Sequence, residues 1–283
     1  MPDLLSLVLT LKPVDQQLTG QDSGRVKPLW WGRAAHALLL QTIQKHNAAL
    51  AQSLHDDDGM KPFTVSNLLG YRKSEKAIPG STCSLRYTAL NRPLCEVLLL
   101  SVEKGGALAP GSLVELDYLP FEVLAVTTDP TMMEWAGAAT YEEMAARHLP
   151  AQGSAPRRIA FQLASPTAFN TQGRTQPLPL PRLVFQSLLL RWNACAPRSF
   201  PEETIRFAEE CLAVSRFHLK SRSVPLKEGG LRVGAVGEVT FASLNYDRYW
   251  MGILHTLSEF AFFAGVGAAT TLGLGQCRRS TTA

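Results

Sequence analysis

The sequence predicts an α+β protein built as two tandem ferredoxin-like (RRM-like) domains. Three observations predict it. The order strand, helix, strand, strand or hairpin, helix, strand is legible twice along the chain, and that is the element order of this fold. A stretch of small residues and prolines over positions 144–156 separates the two passages as a linker. A length of 283 residues suits two domains of ordinary size, here 1–150 and 156–283, better than one.

The elements follow in order. Residues 4–11 open as a strand, Leu5, Leu7, Leu9 and Leu11 alternating with Ser6, Val8 and Thr10. Residues 33–45 carry Ala35, Leu39 and Ile43 at helical spacing. Asn47 suits the N-cap of a short second helix over 48–54, and Gly59-Met60-Lys61-Pro62 breaks it. Residues 63–69 and 82–90 are extended, 93–102 are helical, and 114–127 close the domain as a strand. In the second domain 158–163 is strand-like, and 183–194 is a helix with Val184, Leu188 and Trp192 on one side. Two strands, 217–224 and 233–241, flank the turn Glu228-Gly229-Gly230. A helix over 248–264 and a closing strand over 273–278 complete the order.

Composition excludes several classes. Hydrophobic residues make up 46% and charged residues 18%, the balance of a globular protein with a substantial core rather than a disordered chain. The cysteines Cys83, Cys95, Cys195, Cys211 and Cys277 are odd in number and form no C-x-x-C pair, which fits a reducing cytoplasmic setting and no cysteine zinc site. The first twelve residues lack a basic region before an apolar run, so no signal peptide is expected. Residues 260–276 are uncharged but contain four glycines, whereas a membrane span needs about 20 mainly apolar residues. Charge is uneven: residues 1–156 hold 13 Lys/Arg against 16 Asp/Glu, net −3, and residues 157–283 hold 15 against 8, net +7. The second domain is thus the expected footprint for a polyanion.

The segment Gly265-Val266-Gly267-Ala268-Ala269-Thr270-Thr271-Leu272-Gly273-Leu274-Gly275 is the densest glycine cluster. It lacks the Gly-Lys-Ser/Thr of a P-loop. It also follows a helix and has no trailing acid, which excludes a dinucleotide fingerprint. Two readings stay open. Its N–H groups could approach a phosphate chain, or its glycines could permit a tight helix-to-strand turn packed under a sheet.

This segment, preceded by Ala261-Phe262-Phe263-Ala264 and followed by Gln276, resembles the C-terminal signature of the CRISPR repeat-processing endoribonucleases of the RAMP superfamily. Ser165-Pro166-Thr167-Ala168-Phe169, Gly173-Arg174 and Phe185-Gln186-Ser187-Leu188-Leu189-Leu190-Arg191-Trp192-Asn193 resemble the pattern that opens the family's second domain. Gly234-Ala235-Val236-Gly237-Glu238-Val239 resembles its later hairpin strand. Leu54-His55, with Lys61-Pro62-Phe63-Thr64-Val65-Ser66 behind it, resembles its N-terminal catalytic segment. The resemblance implies paired ferredoxin-like domains and metal-independent cleavage of one repeat in a CRISPR transcript. It also implies that the glycine loop, through Gly265, Gly267, Gly273 and Gly275, helps hold RNA. The partners it implies are CRISPR repeat RNA, other proteins of a CRISPR effector complex and, for the oligomer, a homodimer. No membrane, cofactor or metal is expected.

Cleaving RNA without a metal needs a base for the 2′-hydroxyl, an acid for the leaving 5′-oxygen and a cation for the phosphorane. Histidine suits the proton work because its pKa lies near neutrality. Among the six histidines, His55 stands at a helix end beside a loop, and Lys61 follows it across a glycine turn. The family's catalytic histidine and lysine match these positions. The chain departs at a tyrosine that some members carry one helix earlier. Leu40 stands there, and His36 is the nearest substitute. The bland alternatives are an electrostatic role for His55 at a helix C-terminus, a half-buried structural His36 and a surface Lys61. His46 is expected to be solvated and His255 to be core. Asp56-Asp57-Asp58 has the wrong spacing for a calcium loop and reads as an acidic turn.

For phosphate contacts the candidates are Arg157, Arg158, Arg174, Lys220, Arg222 and Arg278, with Arg182, Arg216 and Arg279 behind them. Lys220 and Arg222 alternate with Ser221 and share a strand face. No RNP1 pattern of stacking aromatics is present. The competing readings are a non-cutting RNA-binding subunit of a CRISPR complex and, on the glycine loop alone, an enzyme for small phosphorylated substrates.

Overall fold

The computed structural model describes residues 1–14, 29–57, 59–70, 82–149, 155–225 and 230–280. Asp58, the middle of the expected linker and most of the expected turn at Gly229 lie outside the described residues. Two compact units emerge: Met1–Ala138 with Thr271–Gly273, and Ala139–Thr270 with Leu274–Ala283.

In the first unit, β1 (Leu4–Pro13) leads to α1 (Gly32–His46) and α2 (Ala48–Asp56). The Asn47 side chain accepts from the Leu50 N–H at 2.9 Å, which starts α2 where the sequence places its cap. Then come β2 (Phe63–Val65), β3 (Cys83–Ala89), α3 (Arg92–Ser101), β4 (Leu113–Leu116), β5 (Leu119–Thr127) and a short β6 (Gly137–Ala139) beside β1. Asp117 and Tyr118 both adopt left-handed backbone, φ 50° and 65°, and turn the expected closing segment into the β4–β5 hairpin. The sheet order β2-β3-β1-β5-β4, with its pairings antiparallel, is ferredoxin-like.

The leucines of β1 explain the packing. Leu5, Leu7, Leu9 and Leu11 are buried with Leu39 and Ile43 of α1 and Leu94 and Leu98 of α3. The other face of β1 is also buried, with Ser6 between the apolar Leu4 and Val8. There Arg86 donates from Nε to Ser6 Oγ at 2.7 Å and to the Trp135 carbonyl at 3.0 Å, with its guanidinium 5.1 Å from the Trp135 ring centroid. A buried cation is tolerated because carbonyl, hydroxyl and ring face replace the lost water.

The second unit opens with α4 (Tyr141–His148), which the sequence analysis assigns to the linker and the first domain. Thr140 and Glu143 form a capping box, and Tyr141 meets Trp192 edge-on at 4.9 Å. That packing ends the first unit at Ala138 rather than near residue 150. The alanines and prolines beyond Tyr141 mask a helix that only its cap announces.

There follow β7 (Arg158–Thr167), a small hairpin of β8 (Phe169–Thr171) and β9 (Arg174–Gln176), α5 (Pro181–Cys195), α6 (Glu203–Cys211), β10 (Leu212–Pro225), β11 (Leu231–Ser243), α7 (Arg248–Ala264) and β12 (Cys277–Arg279). The order β10-β11-β7-β12 is again ferredoxin-like, with the small hairpin and α6 inserted. Phe161, Phe185 and Phe241 pack mutually at about 6 Å between sheet and α5. Strand β12 begins only at Cys277, because the preceding glycines belong to a loop. No helix among the described residues is long and apolar enough to cross a membrane.

Candidate functional site

The first unit gathers His36, Lys61 and the segment Thr271–Gly273. His36 stands one turn into α1, half-buried, with its ring 5.5 Å from that of Phe63. Its Nδ1 lies 2.9 Å from the Thr271 carbonyl oxygen. A carbonyl only accepts, so Nδ1 carries the proton and Nε2 keeps the lone pair. Burial, aided by the positive charge of Lys61, holds the imidazole below its ordinary pKa against the opposing pull of the Thr271 bond. Burial and the lysine charge both favour the uncharged ring over the imidazolium.

Lys61 precedes β2 and folds back on the end of α2. Its ammonium donates to the Leu54 carbonyl at 2.6 Å and to the Asp57 carbonyl. Helix ends leave such carbonyls without intrahelical partners, so a lysine settles there readily. His55 lies in the last turn of α2 with its side chain 85% exposed, and its Nδ1 is 3.4 Å from Asp56 Oδ1. Of the two histidines the sequence offers, His36 is the one whose ring is held. The exposed His46 and the buried His255 match their expected environments.

The glycine loop is engaged with its own unit. The N–H groups of Gly265, Gly267 and Gly275 donate to Ala261 O, Ser187 Oγ and Pro166 O at 2.9, 2.8 and 3.1 Å. Arg191, fully enclosed, donates to the carbonyls of Gly267 at 2.7 Å and Gly265 at 3.3 Å, and burial lowers its pKa to about 10. A Cβ on Gly275 would stand 2.1 Å from the Val266 carbonyl oxygen, and one on Gly267 2.4 Å from that of Ala168. The amides of these three glycines are thus engaged within a packed turn. Gly273 bridges to Ser66 in the first unit.

The basic residues of the second unit fall largely on one sheet face. Register sets Arg216, His218, Lys220 and Arg222 of β10 opposite Thr240, Glu238, Val236 and Gly234 of β11. Glu238 stands opposite Gln162 and Ala242 opposite Arg158 of β7, while Arg278 of β12 also stands opposite Gln162. Directly paired residues project to the same side. The other side carries buried Phe161, Val239, Phe241 and Cys277, so the basic side is the one without helices. Arg158, Lys220, Arg222 and Arg278 thus share a face, joined by Arg216. Arg174 sits apart on the β8–β9 hairpin, and the Arg157 guanidinium lies 4.8 Å from the Tyr246 ring centroid. Arg182 pairs with Glu209, and Arg279 contacts His255 at 3.2 Å.

Sequence reasoning missed the Thr271 carbonyl, because a main-chain atom leaves no trace in residue type. It named Arg191 only within a family pattern and gave it no role, because the residue stands inside an apolar helix.

Two family models match the chain. Residues 1–92 match the CRISPR Cas6 N-terminal domain, and residues 161–277 match the CRISPR-associated endoribonuclease Cas6. A CRISPR-associated endoribonuclease Cas6 of Mycobacterium tuberculosis is 31% identical over 123 residues, 43% of this chain. The chain spans 38% of the length of that curated relative. Among solved structures, a product complex of a Cas6 superposes with TM-score 0.79 at 26% identity, covering 99% of this chain and 100% of that one. Thermus thermophilus Cas6 gives 0.70 at 27%, covering 99% of each chain. Paired ferredoxin-like units with both halves of the signature place this chain in a single group: it belongs to the Cas6 family of CRISPR-associated endoribonucleases.

Proposed function

We propose that the chain binds and cuts repeat RNA in precursor CRISPR transcripts, without a metal, by attack of the RNA's own 2′-hydroxyl. Nε2 of His36 takes the 2′-hydroxyl proton. The 2′-oxygen then bonds to the adjacent phosphorus and the bond to the 5′-oxygen breaks. The products are a 2′,3′-cyclic phosphate and, once an acid has protonated the leaving oxygen, a 5′-hydroxyl. Lys61 supplies a cation for the phosphorane charge, and His55, exposed on α2, supplies the leaving-group proton. The basic face of the second unit holds RNA backbone. One observation carries the assignment: the His36 Nδ1 lies 2.9 Å from the Thr271 carbonyl oxygen, which accepts the hydrogen bond of that nitrogen and leaves Nε2 for the substrate.

The test is cleavage of repeat RNA in EDTA by wild type, His36→Ala and His55→Ala, with a 2′-deoxy substrate at the cut site as control. Cleavage should persist in EDTA and stop on the 2′-deoxy substrate. His36→Ala should lose about 100-fold or more in single-turnover rate. Full activity of His36→Ala would move the base role to His55. Tight repeat binding without product by wild type would make the chain a binding subunit instead.

A further inference from the structure

We infer that Gly32 and Trp30 are positioning residues for His36: they seat the Thr271–Gly273 segment so that the Thr271 carbonyl fixes the imidazole tautomer. This rests on the base role proposed for His36. Three contacts run in order along the first turn of α1. The Trp30 indole donates from Nε1 to the Leu272 carbonyl oxygen at 2.7 Å. Gly32, the first residue of α1, faces the same oxygen, which lies 1.8 Å from where a Cβ would stand. Four residues on, and so on the same side of the helix, His36 donates from Nδ1 to Thr271 O at 2.9 Å. Gly273 closes the row, in a bridge with Ser66 and at left-handed φ of 88°.

Any side chain at position 32 meets main-chain atoms, Leu272 O at 1.8 Å and Leu272 C at 2.5 Å, rather than the far end of a flexible side chain. Either the helix start or the segment must then withdraw, and the Thr271 oxygen withdraws with it. Without that acceptor a neutral imidazole has no reason to keep its proton on Nδ1, and Nε2 stops being the base. A glycine at this place is therefore tied to proton chemistry one turn away, and the indole that clamps Leu272 acts toward the same end.

The experiment is imidazole nitrogen NMR of His36 in the full chain, alongside single-turnover cleavage and binding of repeat RNA, for wild type, Gly32→Ala and Trp30→Phe. Trp30→Phe leaves position 32 unchanged, keeps an aromatic ring and removes the N–H donor together with part of the indole, so it reports even if Gly32→Ala unfolds. Wild type should carry the proton on Nδ1. Both variants should shift it toward Nε2, and cleavage should fall by about 10- to 100-fold while RNA affinity holds within about twofold. A wild-type proton on Nε2, or unchanged Nδ1 protonation in a folded Trp30→Phe, overturns the inference. If the tautomer shifts and cleavage does not, the base role of His36 falls while the positioning of its ring stands.

Discussion

Lys61 donates from Nζ to the main-chain oxygen of Leu54 at 2.6 Å, one residue before His55. The bond satisfies the end of α2 and parks a full positive charge where the His36 imidazole feels it. One lysine thereby ties a helix terminus to the protonation state of a residue on another helix.

The consequence is a pH profile. His36 acts as a base only when neutral, and burial first, with Lys61 behind it, keeps its pKa under the ordinary 6.5. Activity should hold as pH falls through 6.5 and drop only below it. Lys61→Met removes one of the two lowering influences, so the acid limb should move back up. The plateau rate should also fall about 100-fold, because the phosphorane loses its cation. Rate–pH profiles of both proteins under single-turnover conditions decide it. An acid limb that stays put in Lys61→Met would separate the lysine from His36.

A second pH effect concerns stability. His255 is wholly buried, with Nε2 2.8 Å from the Pro156 carbonyl oxygen, and burial lowers its pKa to about 4. The unfolded chain protonates its histidine near pH 6.5 and the folded chain near pH 4, so unfolding takes up a proton between these values. Stability is fully present above about pH 6.5 and declines as pH falls toward 4, by roughly 3 kcal/mol from this residue. His255→Gln keeps an N–H donor and does not titrate. Urea midpoints at pH 7 and pH 5 should therefore lie closer together in the variant. Equal pH sensitivity in the two proteins would defeat the argument.

The glycines separate by environment. Gly275 has φ of 69° and no room for a Cβ, whereas Gly111 has φ of 87° and nothing within 4 Å of that position. Gly111→Ala should cost only left-handed strain, about 1–2 kcal/mol. Gly275→Ala adds a clash with the Val266 carbonyl and should cost distinctly more. Thermal melting of the two variants compares them, and similar losses would mean that the loop yields easily.

Much of this was legible in the sequence, and the limits have physical causes. Alternation in β1, the Asn47 cap and the apolar run of α7 are local patterns that leave their mark in residue type. The linker reading over 144–156 overlaps the second half of the helix Tyr141–His148, because Ala145, Ala146 and Arg147 carry weak periodicity and the capping box is brief. The shared face of Arg158 and Arg278 depends on strand register between residues far apart in the chain, which no local pattern encodes. His36 ranked behind His55 because motif spacing favoured the latter. The feature that distinguishes His36 is a carbonyl at position 271, far along the chain.

That shared face yields the last prediction. Lys220 and Arg222 stand exposed at alternate positions of β10, and neither is drawn into an ion pair with a carboxylate among the described residues. Each phosphate neutralised by such a residue releases counterions, so affinity depends steeply on salt. Lys220→Ala and Arg222→Ala should each weaken repeat binding and lower the log–log salt slope by about 1. Arg157→Ala should change the slope less, since its guanidinium is already placed over Tyr246. Binding titrations at several salt concentrations measure all three. If Arg157→Ala alters the slope most, the RNA lies along the Tyr246 side of the unit and not along the open face of β10.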